Sequence, residues 1–186
     1  HELSSDLMNE IVQLEEKSQR NSVWYCAADS HGFISPDILF DAVQTKIWNT
    51  STSTDTKNII FDALKTGRFY CQFGSNIHNP LRFDFWADHD NNQDGKKIAY
   101  PGSILSNKTT WFGHVFIDSD NKLDDGAEIK VYHGEKVLDV KNFESSNKQK
   151  NVSFPMNDNG FYTVIVFRKE NGEKKLWVIS NPIRIS

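Results

Sequence analysis

From Arg68 onward the apolar residues of this chain recur at every second position, and that period limits what the chain can fold into more than any other feature. Phe69 to Phe73 open the pattern. Leu81, Phe83, Phe85 and Ala87 then alternate with Arg82, Asp84 and Trp86, and further strand-like runs lie at Thr110 to Ile117, Glu128 to Tyr132, Lys136 to Val140, Phe161 to Phe167 and Leu176 to Ile179. Successive side chains of a strand point to opposite faces, so each run can bury one face and leave the other for water. Asp94-Gly95, Asp125-Gly126, His133-Gly134, Asn159-Gly160 and Asn171-Gly172 separate the runs. Short alternating strands cut by such turns predict an antiparallel β-sandwich.

Before Arg68 the period is helical. Leu3, Leu7, Ile11 and Leu14 place one apolar stripe on a helix over residues 2–20, which leads into a buried strand, Val23 to Ala28. Ser35-Pro36-Asp37 is a helix start, and Ile38, Leu39, Ala42, Val43 and Ile47 continue it as a second helix. Asp55 caps a third, whose stripe is Ile59, Ile60, Ala63 and Leu64, and Gly67 ends it. Gly74, Ser75, Asn76, Asn79 and Pro80 mark a boundary, so the expectation is an α+β chain: a partial α/β segment over residues 1–74 and a β-sandwich over residues 75–186. One interior strand with flanking helices is too little for a closed parallel barrel.

Charge follows the same division. Residues 1–66 hold 5 Lys and Arg against 10 Asp and Glu, and the remainder holds 16 against 15. No basic cluster interleaved with aromatics marks a nucleic-acid surface, and no apolar run is long enough to span a bilayer. The expectation is a soluble protein with no nucleic-acid partner. The chain opens at His1 without a signal-peptide pattern and reads as a processed or truncated piece, compatible with a periplasmic or secreted protein after processing. Cys26 and Cys71 both lie in apolar, strand-like surroundings, where a free buried thiol is the expected state and a disulfide the alternative.

Asp29 and His31 follow the Val23 strand. At i and i+2 of an extended chain they point the same way and could share a metal ion as oxygen and nitrogen ligands. The plainer reading is a carboxylate capping a turn and a histidine satisfied by a carbonyl.

Ala28-Asp29-Ser30-His31-Gly32 after an apolar strand, then Ile59 to Tyr70 with its Ala63-Leu64-x-x-Gly67-Arg68-x-Tyr70 core, then a β-rich tail closing on Ser180-Asn181-Pro182-Ile183, resembles the C-terminal end of PHP (polymerase and histidinol phosphatase) superfamily proteins, in the branch similar to carbaryl hydrolase. The resemblance implies that residues 1–74 hold the last strand and helices of a PHP-type barrel. It makes Asp29 and His31 two ligands of a divalent metal centre, Mn, Zn or Fe, in an intact parent that hydrolyses a phosphate or related ester. The family's early His-x-His motif is absent, so this piece alone is expected to be inactive. Arg68 could donate to a substrate phosphate, a structural ion pair being the plainer use of it.

Other candidates compete with packing. Asp90, Asn92, Asp94 and Gly95 match the opening of a calcium loop, but Pro101 stands where the bidentate Glu belongs, so a hairpin turn is the better reading. Asp118, Asp120, Asp124 and Asp125 form a similar acidic loop with the same reading. Phe83, Phe85, Phe161 and Phe167 sit at core alternation, whereas Trp86 and Tyr132 lie opposite their apolar neighbours and are candidates for an exposed sugar-stacking platform. No Ser occupies a Gly-x-Ser-x-Gly elbow. The second function class is therefore a non-catalytic β-sandwich module that binds a glycan or a protein.

Overall fold

A computed structural model of the chain describes residues 43–49, 54–73, 81–90, 96–119, 126–144, 149–170 and 172–186. The order of elements is β1 (Val43–Ile47), α1 (Thr56–Thr66), β2 (Phe69–Phe73), β3 (Leu81–Asp88), β4 (Ile104–Leu105), β5 (Trp111–Ser119), β6 (Ala127–His133), β7 (Lys136–Phe143), β8 (Gln149–Met156), β9 (Gly160–Glu170), β10 (Glu173–Ser180) and β11 (Ile183–Ile185). These strands form two sheets. The small one has the order β3-β5-β8, and the large one runs β1-β2-β10-β9-β11-β4, with β6 on β9 and β7 on β6.

Helix α1 is bounded by the residues that the sequence marks. The Asp55 carboxylate accepts the Lys57 N–H at 3.0 Å, filling one of the donors a helix start leaves open. At the other end Gly67 takes the left-handed conformation, φ 77°, and the chain turns into β2 with the Arg68 N–H on the Ala63 carbonyl.

The long strand β9 organises the large sheet. Its residues 165–170 pair with β10, and its residues 160–162 pair with β11 along the same edge, while β6 takes residues 162–168 on the other edge. Between β10 and β11 the ladder breaks, and the Ser180 hydroxyl takes over by accepting the Val164 N–H at 2.9 Å. The hairpin from β6 to β7 turns on Gly134, whose φ of 56° suits a two-residue turn between His133 and Lys136.

The core lies between the sheets. Phe83, Phe85, Val115, Ile117, Val152 and Phe154 face it from the small sheet, and Ile129, Val131, Tyr162, Val164 and Val166 face it from the large one. Each such side chain contributes about 1.5–3 kcal/mol by leaving water. Trp48 closes one end of this core, 5.0 Å from the Tyr70 ring and 6.1 Å from Phe83. Burial, the largest influence on the Tyr70 phenol, pushes its pKa up to about 12.

Several expectations need correction. The fold is a β-sandwich, not an α+β combination with a piece of PHP-type barrel. Strands β1 and β2 are antiparallel to each other, and β2 is antiparallel to β10; the one parallel pair among the described residues is the short β11 with β4, far from the expected barrel segment in sequence. Val43 and Ile47 belong to strand β1 rather than to a helix. The boundary at residues 74–80 lies outside the described residues, and β2 on its N-terminal side is hydrogen-bonded to β10. Phe161 and Phe167 are half-buried on the outer face of the large sheet, because Tyr162, Val164 and Val166 take the inner one. Cys71 is not a free thiol. It is disulfide-bonded, and the sequence offers Cys26 as the one other cysteine.

Candidate functional site

The residues with the most chemistry among those described gather on the outer face of the small sheet. Register puts them there: Trp86 of β3 stands opposite His114 of β5, which stands opposite Ser153 of β8. Asp84 and Asp88 share the face of Trp86 at two-residue spacing. Side chains on an outer face ordinarily meet water, yet His114 is 0% exposed, Asp88 1% and Trp86 3%.

His114 is bound at both ring nitrogens. Its Nε2 lies 3.0 Å from Asp88 Oδ1 and 3.0 Å from the Asp90 carbonyl, and its Nδ1 lies 2.9 Å from Ser153 Oγ. Carboxylate and carbonyl oxygens only accept, so Nε2 carries a proton, and the Ser153 hydroxyl, which can donate or accept, completes the hydrogen bonding of the ring at Nδ1. Asp88 also accepts the Asp90 N–H at 2.8 Å and, at 3.4 Å, the Trp86 indole N–H. The Trp86 ring stacks on His114, centroids 5.2 Å apart and planes 21° from parallel.

A second charged group adjoins the first. Asp84 Oδ2 accepts the Lys97 ammonium at 2.7 Å and lies 3.4 Å from Arg82, while Asp84 Oδ1 accepts the Trp48 indole N–H at 3.0 Å. Lys97 also sits 4.4 Å from the centre of the Trp86 ring, a cation–π distance. The segment after β3 is tied down by backbone bonds between Ala87 and Ala99, which brings Lys97 over the outer face.

Ser153, His114 and Asp88 thus stand in the proton-relay order of a Ser-His-Asp triad. Two features set them apart from a working one. Ser153 lies within the β5-β8 ladder rather than on a strained turn that lifts its hydroxyl out, and the imidazole that would pass the proton has no surface open to a substrate.

The sequence candidates fare differently. Asp29 and His31 lie outside the described residues, so their pairing rests on spacing alone. Among the described residues, no three His, Cys, Asp or Glu side chains are placed to hold a metal ion. Arg68 immediately precedes β2, and its Nε donates to the Thr66 hydroxyl at 3.0 Å. Trp86 is not an exposed platform, being sealed under Lys97 and against His114, and Tyr132 is half-buried on β6. Asp94 and its neighbours at 91–95 lie outside the described residues, while Asp88 and Asp90 serve His114. What the sequence reading misses is β8, whose Gln149, Asn151 and Pro155 disguise the alternation of Val152, Phe154 and Met156. Proline is tolerated there because β8 is an edge strand, paired with β5 on one side.

A further cluster lies on the outer face of the large sheet. Glu128 of β6 accepts Lys174 of β10 at 2.7 Å and lies 3.4 Å from Lys130. Burial, the largest influence, would raise its pKa, but the Lys174 hydrogen bond and the charges of both lysines outweigh it and hold the carboxyl below the ordinary 4.5.

No family model matches the chain, that of the PHP superfamily included, and no curated relative matches it. The expected PHP membership and the hydrolase and phosphoesterase assignments that came with it are withdrawn accordingly. Among solved structures, the chain is similar to the soluble domain of PmoD from Methylocystis sp., at 12% identity and a TM-score of 0.42, over 57% of this chain and 92% of that one. It is also similar to the CARDB domain of PF1109 from Pyrococcus furiosus, at 8% identity and 0.38, over 58% and 89%. The C-terminal domain of Wzt follows at 9% identity and 0.33, over 59% and 79%.

Proposed function

We propose that this chain is a non-catalytic β-sandwich module that works by presenting a surface to a protein. The observation that carries the reading is the sealing of its most reactive constellation. A nucleophile must meet a substrate carbonyl, and the base beside it must move a proton at that place. His114 is fully buried, and its nitrogens are taken by Asp88, the Asp90 carbonyl and Ser153. The cluster is suited to pinning three strands and the following loop together. A glycan reading loses its best candidate with the burial of Trp86. A protein partner is favoured by β7, which among the described residues is an edge strand, its Val137, Leu138 and Val140 exposed.

The disulfide at Cys71 supports maturation in an oxidising compartment, periplasmic or extracellular, since such bonds are rare in reducing ones. Alkylation of the unreduced, denatured chain should label neither cysteine, and stoichiometric labelling would remove that support.

The module reading is tested with p-nitrophenyl acetate and p-nitrophenyl phosphate. The expected result is no turnover above that of a Ser153→Ala variant, whose fold is checked by circular dichroism. Turnover that disappears in that variant would overturn the reading.

A further inference from the structure

Strand β7 is the barest part of the described fold. Among the described residues it pairs with β6 alone, and of its eight residues only Asp139 and Phe143 are half-buried, the rest being exposed. Val137 is 48% exposed, Leu138 45% and Val140 41%. An open edge with apolar side chains is a template for another strand. The sequence of the strand, Lys136-Val137-Leu138-Asp139-Val140-Lys141-Asn142-Phe143, followed by Glu144, says which strand fits.

We infer that β7 pairs antiparallel with β7 of a second copy of this chain, about a two-fold axis through Val140. This rests on the module reading above and names its partner. In a two-fold antiparallel pair, residues equally far from the axis on either side stand opposite each other. With the axis at Val140, Asp139 meets Lys141 of the second copy and Lys141 meets its Asp139. Lys136 meets Glu144 in the same way, Val137 meets Phe143, and Val140 meets itself. Opposite charges directly across a ladder stabilise it, and like charges destabilise it.

Neighbouring registers lack that complementarity. An axis at Asp139 sets the two Asp139 carboxylates against each other, and an axis at Lys141 does the same with the two ammonium groups. An axis midway between Asp139 and Val140, or between Val140 and Lys141, opposes no charge to its opposite. Within one chain Lys141 already lies 3.4 Å from Asp139, so both groups stand on one side of the strand, Lys141 exposed and Asp139 half-buried. The register between β6 and β7 slips at Leu138, because Val131 pairs with Asp139 while Tyr132 pairs with Val137. Such a bulge interrupts an edge, so the new ladder centres on Asp139 to Lys141 and the association is weak and concentration-dependent.

The test is sedimentation velocity of the full chain over a concentration series, with three variants. The expected result is a rise in the weight-average sedimentation coefficient from monomer toward dimer for the unaltered chain. Asp139→Lys sets lysines opposite each other at both central pairs and should weaken association by about tenfold or more. Lys141→Asp should do the same with carboxylates. The double variant D139K/K141D exchanges the charges and should restore the dimer, a rescue that damage to the fold would not produce. A monomer at every concentration, an association indifferent to D139K, or no recovery in the double variant would overturn the proposal. Those outcomes leave the module reading standing, since it falls only to Ser153-dependent turnover.

Discussion

The outer face of the small sheet and the β7 edge of the large one both reverse the usual placement of side chains, in opposite senses. On the first, an imidazole, two carboxylates and a serine hydroxyl are enclosed. On the second, two valines and a leucine are left to water. The enclosed polar groups hold one another, so the face is costly to disturb and has little to offer a visitor. Among the described residues the side chains of Val137, Leu138 and Val140 on the apolar edge are exposed, so substitutions there should cost the fold little. One region keeps the sandwich together; the other is free to be used.

The sharpest way to break this contrast is His114→Ala. It removes one of three donors to the buried Asp88 carboxylate and empties a fully buried site beside Trp86, and the expected loss is about 2–5 kcal/mol, read from the midpoint of urea unfolding. A loss below about 1 kcal/mol would mean that the cluster is not what holds the face. Ser153→Ala removes the hydroxyl that meets Nδ1 and should cost about 1 kcal/mol in the same measurement.

An acid titration separates the large sheet's ion cluster from its edge. Because the Glu128 pKa is lowered in the folded chain, its contribution is present above the ordinary 4.5 and is lost as pH falls through the folded value. Glu128→Gln should therefore lose less stability than the unaltered chain between neutral pH and pH 4, measured by unfolding midpoints; an equal loss would assign the acid sensitivity elsewhere. The smallest effect belongs to the edge. Val140→Thr should change monomer stability by less than about 0.5 kcal/mol, and a larger cost would show that β7 is packed rather than open.

The contrast also marks how far sequence reasoning reached. Alternation in Leu81 to Ala87 correctly put Phe83 and Phe85 in the core, and Asp55 and Gly67 bracketed α1. The same alternation put Trp86 on the outer face but could not say whether that face was covered. Covering depends on Lys97 and on His114, which arrive from elsewhere in the chain. Val43 and Ile47 fit a helical stripe with Ile38, Leu39 and Ala42, yet pairing with β2 draws them into a strand, as long-range partners often override a local period. The Ser153-His114-Asp88 row needs the registers of three strands at once, and no local pattern encodes those. A resemblance built from short motifs at Ala28–Gly32, Ile59–Tyr70 and Ser180–Ile183 did not survive: no family model matches the chain, and the second and third motifs lie in a β-sandwich whose β1, β2 and β10 pair antiparallel.

Strand β2 has one more consequence, in the order of folding events. Its neighbour β1 pairs with it across 22 to 30 residues, but its other neighbour, β10, lies more than a hundred residues away, with Cys71 opposite Ile179. Pairing over such a separation is slow to form, because the intervening chain must be brought to order first. The β9-β10 hairpin, closed by a short turn at Gly172, can assemble early and offer its free edge. Strand β2, with Cys71 on it, then docks onto that edge late. Until it does, the Cys71 thiol, buried in the folded chain, is open to solvent and to oxidants, so the window for forming its disulfide lies before that docking step rather than after it.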